Sequence, residues 1–269
     1  MKYALITVAV LAIAILLPIL VIILIEHFTK RKWKLWVKAV IVVFSAITIS
    51  LSTVFTYLSI YYGASSEVDA SFEDSEKVKV SETSDYYLFD HKTNTDKAII
   101  FYGGAKVEEK AYGPLMRMIS EEGVDVYLIK MPFRFALLDT DKADKVFSES
   151  TYPSLYLMGH SLGGTTLSMY LSGAPSPYKG IIFLASYPSK AIDSYFNVIS
   201  IYGSNDKVLN KEEYEKNKAN FPSNYKEVVI EGGNHGYFGN YGEQKGDGEA
   251  SISRNEQQRQ TKDAIVPLL

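Results

Sequence analysis

The chain has 269 residues, with 28 Lys+Arg against 31 Asp+Glu and no cysteine. The lack of cysteine excludes disulfides, thiolate nucleophiles and Cys-based zinc sites. Six of the basic residues but only Glu26 among the acids fall within the first 62 positions, leaving 22 basic against 30 acidic residues in the remainder. A domain that acidic is poorly suited to nucleic acid.

Residues 3–25 and 39–62 are uncharged runs of 23 and 24 residues. Each exceeds the roughly 20 helical residues needed to cross a hydrocarbon core, so residues 1–62 are expected to form a two-helix transmembrane hairpin in contact with the lipid bilayer. The first run is longer than the apolar core of a cleaved signal peptide, and no small-x-small site follows it. The hydroxyls at Ser45, Thr48, Ser50, Ser52, Thr53, Thr56 and Ser59 are expected to pack helix against helix. Residues 26–38 form a basic turn with Trp33 and Trp36 at its flanks, and positive-inside bias places such a turn in the cytoplasm. Everything after residue 62 then faces the exterior, against the opposing pull of Lys2. Residues 63–76, rich in Ser, Glu, Asp and Ala, read as a linker.

From residue 77 the sequence alternates strands (77–80, 86–90, 98–102, 125–130, 154–158, 180–185, 198–202, 226–230) with helices (108–122, 137–149, 162–172, 211–219, 251–265). This is the pattern of an α/β domain with a mostly parallel sheet, here 77–269. Ile99, Ile100 and Phe101, and again Leu155 to Met158, are continuous apolar runs suited to strands buried on both faces. In such sheets ligands bind beyond the C-terminal ends of the strands, so the chemistry is sought in the loops there.

Gly159-His160-Ser161-Leu162-Gly163 is a G-x-S-x-G pattern between an apolar strand and a helical stretch, the setting in which a serine hydroxyl is presented on a strained turn. The alternative is a plain glycine-rich turn. A serine needs a base to take its proton. Of the four histidines, His27 lies in the basic turn, His91 follows an early strand, and His160 adjoins Ser161 and cannot fold back onto it. His235, in a glycine-rich loop after the last strand, is left as the general base. Its other ring nitrogen needs an acceptor. Asp206 lies just beyond the 198–202 strand and fits best; Asp193 is the second candidate, and a turn-capping aspartate is the ordinary alternative for Asp206. Ser161, Asp206 and His235 follow one another in the α/β-hydrolase order. Backbone oxyanion donors are expected at Leu162 and at Gly104 or Ala105, between which the sequence does not choose.

With Phe-Tyr-Gly-Gly-Ala-Lys-Val (101–107), Lys-Met-Pro (130–132), the Gly-His-Ser-Leu-Gly-Gly run and Gly-Gly-Asn-His-Gly-Tyr-Phe-Gly-Asn-Tyr-Gly-Glu-Gln (232–244) followed by Gly-Asp-Gly (246–248), the chain resembles the α/β-hydrolase superfamily and, within it, the bacterial fold-5 group, from about residue 98 onward. The resemblance implies the α/β-hydrolase fold, an eight-stranded sheet flanked by helices, and a Ser-His-Asp triad. Gly103 and Ala105 depart from the Pro and Gly of the group's Tyr-Pro-Gly-Gly pattern at the oxyanion loop.

Only residues 186–197 separate two consecutive strands where lids are often inserted in this fold, so little or no cap is expected. The 238–248 loop, with Met131, Phe133 and Arg134, is a candidate pocket wall. Arg134 and Lys106 are either ordinary surface cations or partners for a substrate carboxylate. The expected function is cleavage of an ester, thioester or amide of a small or exposed acyl substrate, with no cofactor and no metal. Acyl transfer through the same residues is the alternative, and a non-catalytic membrane scaffold the third reading.

Overall fold

The computed structural model describes residues 2–149, 152–172 and 177–269. The chain divides into two compact units, Met1–Ile60 and Tyr61–Leu269.

The smaller unit holds α1 (Lys2–Thr29) and α2 (Leu35–Ser59). Mean hydropathy reaches 2.4 over Ala12–Thr29 and 2.2 over Leu35–Ser59, so both helices are long and apolar enough to cross a membrane. The expected turn at 26–38 is mostly helical, and only residues 30–34 leave helical structure. Glu26 accepts from Lys38 Nζ at 2.8 Å and from the Trp33 N–H at 2.7 Å, which closes that turn. Of the hydroxyl residues expected to pack the helices together, Ser45 and Thr48 line a groove between α1 and α2, and three hydroxyls bond to their own backbone. Thr48, Thr53 and Ser59 donate to the carbonyls of Phe44, Ile49 and Phe55 one turn earlier, which satisfies each hydroxyl without a neighbour.

The larger unit is one eight-stranded sheet in the order β1-β2-β4-β3-β5-β6-β7-β8. Its strands are β1 (Val78–Glu82), β2 (Tyr86–His91), β3 (Lys97–Tyr102), β4 (Asp125–Ile129), β5 (Ser154–His160), β6 (Tyr178–Leu184), β7 (Asn197–Gly203) and β8 (Lys226–Ile230). All eight expected strands are present, and only β2 runs against the others. The apolar run in β3 serves both faces: Ile99 and Phe101 enter one core, Ala98, Ile100 and Tyr102 the other. The helices are α3 (Gly113–Ser120), α4 (Ala143–Glu149), α5 (Leu162–Tyr170), α6 (Lys211–Asn217) and α7 (Arg254–Ile265). Residues 185–196, between β6 and β7, contain no helix, so no cap is inserted there.

Residues 63–76 are not a free linker. Ser66–Phe72 forms a 3₁₀ turn with Val68 buried, and the Arg117 guanidinium donates to the carbonyls of Ser71 and Glu73. Just upstream, Tyr62 bridges to Val107 and Ala64 to Tyr241. A polar composition reads as solvated chain, but here a buried arginine supplies donors for the segment's carbonyls and so makes docking favourable.

Candidate active site

β5 ends at His160, α5 begins at Leu162, and the single residue between them, Ser161, has φ 52° and ψ −123°. A side chain other than glycine's pays roughly 1–2 kcal/mol for such a left-handed φ. The flanking glycines make the turn possible. A Cβ on Gly159 would lie 2.4 Å from the Gly164 nitrogen, and one on Gly163 would lie 2.3 Å from the Tyr102 carbonyl oxygen. The helix therefore closes on its own strand β5 and on the neighbouring β3 only with glycine at both places.

Asp206 follows β7, and His235 follows β8. His235 Nδ1 lies 2.8 Å from Asp206 Oδ2, with the imidazole 1% and the aspartate 3% exposed. The other carboxylate oxygen accepts from the Val208 and Leu209 N–H groups at 2.9 and 2.8 Å. A carboxylate so held accepts the Nδ1 proton and leaves Nε2 as the free base of the neutral ring. Nε2 is buried and has no hydrogen-bond partner among the described residues. Asp193, the other acid considered, is exposed in the β6–β7 loop. Asp206 and His235 are thus brought together. The Ser161 hydroxyl is carried on the adjoining elbow, without a hydrogen bond to Nε2.

An alpha/beta hydrolase family model matches residues 98–259, more than half of the chain and inclusive of Ser161, Asp206 and His235. The chain belongs to the alpha/beta hydrolase family. Solved structures agree on the fold. A monoacylglycerol lipase from Paleococcus ferrophilus aligns with TM-score 0.52 at 14% identity, covering 68% of this chain and 99% of its own. The ferulic acid complex of Est1E from Butyrivibrio proteoclasticus aligns with TM-score 0.50 at 14% identity, covering 72% and 97%. A thioesterase domain from the curacin biosynthetic pathway aligns with TM-score 0.51 at 12% identity, covering 72% and 100%. No curated protein matches the chain by sequence.

In this hydrolase the loop after β3 separates the two candidate oxyanion donors. The Gly104 N–H donates to Tyr112 Oη at 2.9 Å, the Lys106 N–H to the Arg134 carbonyl at 2.8 Å and the Val107 N–H to the Gly104 carbonyl at 3.3 Å. Gly104 is therefore occupied. The N–H groups of Ala105 and Leu162 make no hydrogen bond among the described residues.

Sequence reasoning set His160 aside and overlooked Tyr112. Both are buried at the centre of the site. His160 Nε2 lies 3.2 Å from the His235 carbonyl oxygen, which can only accept, so Nε2 carries the proton. Burial, then the neighbouring His235, pushes the His160 pKa well below its ordinary value, so the ring is neutral and Nδ1 accepts from Tyr112 Oη at 2.9 Å. Burial likewise pushes the Tyr112 phenol up, keeping its proton in place. The chain of donors runs Gly104 N–H to Tyr112, Tyr112 to His160, and His160 to the His235 backbone. It ties the oxyanion loop, the elbow and the base loop together. Tyr112 is eight residues from Gly104 but 48 from His160, and it belongs to no motif.

The glycine-rich loop after β8 is braced rather than free. Asp247 accepts from the N–H groups of Gly236 and Gly248, each at 2.8 Å, and of His235 and Lys207, each at 3.3 Å. Gln257 of α7 exchanges two bonds with the Asn234 backbone, at 2.9 and 2.8 Å. Phe238 and Tyr241, expected in a pocket wall, are fully buried in the core. They pack beneath the site, where Phe238 faces the His160 ring at 5.5 Å between centroids.

Proposed function

We propose that this protein is a membrane-anchored serine hydrolase that cleaves an ester, thioester or amide of a small acyl substrate through an acyl-enzyme. The observation that carries the reading is the buried His235–Asp206 pair, whose Nε2 has no partner, beside a serine held at φ 52° on a strand-to-helix elbow. A buried, unpartnered base is costly unless a ligand or a moving side chain uses it. A rotation of the Ser161 hydroxyl toward Nε2 supplies that partner, and apo sites commonly tighten only when substrate arrives.

In the proposed cycle, Ser161 Oγ attacks the substrate carbonyl carbon while His235 Nε2 takes the hydroxyl proton, and Asp206 stabilises the resulting imidazolium. The Ala105 and Leu162 N–H groups donate to the oxyanion, Gly104 being held by Tyr112. The imidazolium returns its proton to the leaving group. Water then repeats the sequence on the acyl-serine and releases the acid. The lack of helix between β6 and β7 supports an uncapped entrance.

The two apolar helices and the basic turn support anchoring in a bilayer with the turn in the cytoplasm and the hydrolase outside. Purified protein should hydrolyse short-chain 4-nitrophenyl esters, and His235→Ala should remove nearly all of that turnover, with a melting curve to check that the variant folds. Turnover that survives the substitution in folded protein would overturn the assignment of the base.

A further inference from the structure

Four arginines lie in the larger unit, and three have oxygen partners. Arg117 donates to main-chain carbonyls, Arg254 pairs with Glu67 and the Tyr241 carbonyl, and Arg259 pairs with Glu256 and Asp263. Arg254 also has a buried, unbonded Nε and lies over a ring, that of Tyr237, but among the described residues of this unit Arg134 alone has no oxygen partner for its guanidinium. Its guanidinium lies over the Tyr61 ring, 3.7 Å from the centroid, its Nε is buried without a hydrogen bond, and it has no ion pair among the described residues. A guanidinium is a rigid fork of donors, and the buried Nε of this one is satisfied only when an acceptor reaches it.

The backbone that presents Arg134 is strained. Phe133 and Arg134 have φ of 50° and 56°, two consecutive residues other than glycine in the left-handed region, and Lys106 across from them has φ 60°. Such strain persists only where the surroundings over-determine it, and it gathers at ligand sites. Here the surroundings include the loop after β3. The Arg134 carbonyl accepts from the Lys106 N–H, so Arg134 is bonded to the residue next to Ala105, whose own N–H is free. Tyr61 is fixed from its other side, because Tyr62 donates to the Lys106 carbonyl at 2.7 Å and accepts from the Glu108 N–H at 2.9 Å. Cation and ring are thus both anchored to the oxyanion loop, in a unit whose net charge is acidic.

We infer that Arg134, seated on Tyr61, is an anion subsite of the hydrolase, so that the preferred substrates are acyl esters bearing a carboxylate or phosphate close to the scissile bond. The inference rests on the serine-hydrolase reading above. Arg suits this role better than Lys, because its planar fork can stack on the ring and still offer two parallel N–H groups to a carboxylate or phosphate.

The test is a ratio of kcat/KM values for matched esters. In water, the 4-nitrophenyl monoester of adipic acid is compared with 4-nitrophenyl hexanoate; in vesicles, 1-oleoylglycerol 3-phosphate is compared with 1-oleoylglycerol. The full-length wild type should favour the anionic member of at least one pair, and the pair with the larger ratio tells a soluble from a lipid source. Arg134→Gln should cut that ratio about ten- to hundredfold, mainly through KM, as expected for loss of a charge-assisted hydrogen bond. Arg134→Met, which keeps an unbranched stem over Tyr61, should do the same, and melting curves check that each variant folds. Lys226→Gln removes the same charge at the opposite end of the sheet and should leave the ratio unchanged. Equal handling of both members of both pairs, a preference that survives loss of Arg134, or an equal fall in Lys226→Gln would overturn the subsite alone. No turnover of any of the four esters would overturn the hydrolase reading itself.

Discussion

At the base end of the site nearly every polar group is paired: Asp206 holds His235 with one oxygen and two main-chain N–H groups with the other, and Asp247 accepts four N–H groups around the same loop. At the oxyanion end the reverse holds. Ala105, Leu162 and Arg134 have unpaired donors, and Lys106, Phe133, Arg134 and Ser161 stand at positive φ. The groups that must keep one tautomer and one orientation are fixed by saturated hydrogen bonding. The groups proposed to meet a substrate lie in strained loops with their donors vacant, which is how a site is preorganised for charge that appears only during reaction.

That contrast can be broken in order of expected effect. Asp206→Asn retains the shape of the acid but reverses one hydrogen bond, so His235 loses its tautomer; kcat should fall on the order of 10³–10⁴-fold, measured on a short-chain ester. A fall of less than tenfold would mean that Asp206 does not orient the base. Asp247→Asn leaves the triad side chains in place and turns an amide N–H₂ toward main-chain N–H groups. A loosened base loop should cost about 10–100-fold in kcat with KM little changed, and a change confined to KM would make Asp247 part of the substrate pocket instead.

The smallest effect is expected at His160. Its pKa is lowered in the fold, so the unfolded chain binds the extra proton more readily, and the stability it contributes is present above the ordinary value of 6.5 and lost as pH falls below it. Urea unfolding of the wild type should therefore weaken from pH 7.5 to pH 5.5. His160→Gln should be less stable at pH 7.5 yet lose less on acidification, and an unchanged pH dependence would remove His160 from the account of acid lability.

Much of this architecture was legible from the chain. Ile99 to Phe101 and Leu155 to Met158 announced strands buried on both faces because an apolar run without alternation has few other uses in a domain of this size. Ser161 stood in a local motif, and His235 and Asp206, whose side chains the fold pairs, were singled out because they follow strands at the ligand-binding edge of the sheet. Other features were hidden because they depend on pairings distant in sequence. Tyr112 meets His160 across 48 positions, and that bond holds the phenol to which the Gly104 N–H donates. The 66–72 segment has the composition of a linker, and its docking depends on Arg117, 44 to 46 positions away. The family resemblance foretold the fold, and the family match over 98–259 agrees with it.

The central claim is that Ser161 is an activated nucleophile on the outer side of a membrane. A membrane-impermeant fluorophosphonate applied to intact cells producing the full-length protein, followed by peptide mapping, tests it directly. The account predicts a phosphonylated Ser161 before lysis, and no adduct in His235→Ala. An adduct that forms only after lysis would contradict the proposed side of the membrane, and folded protein that remains unlabelled after lysis would contradict the nucleophile itself.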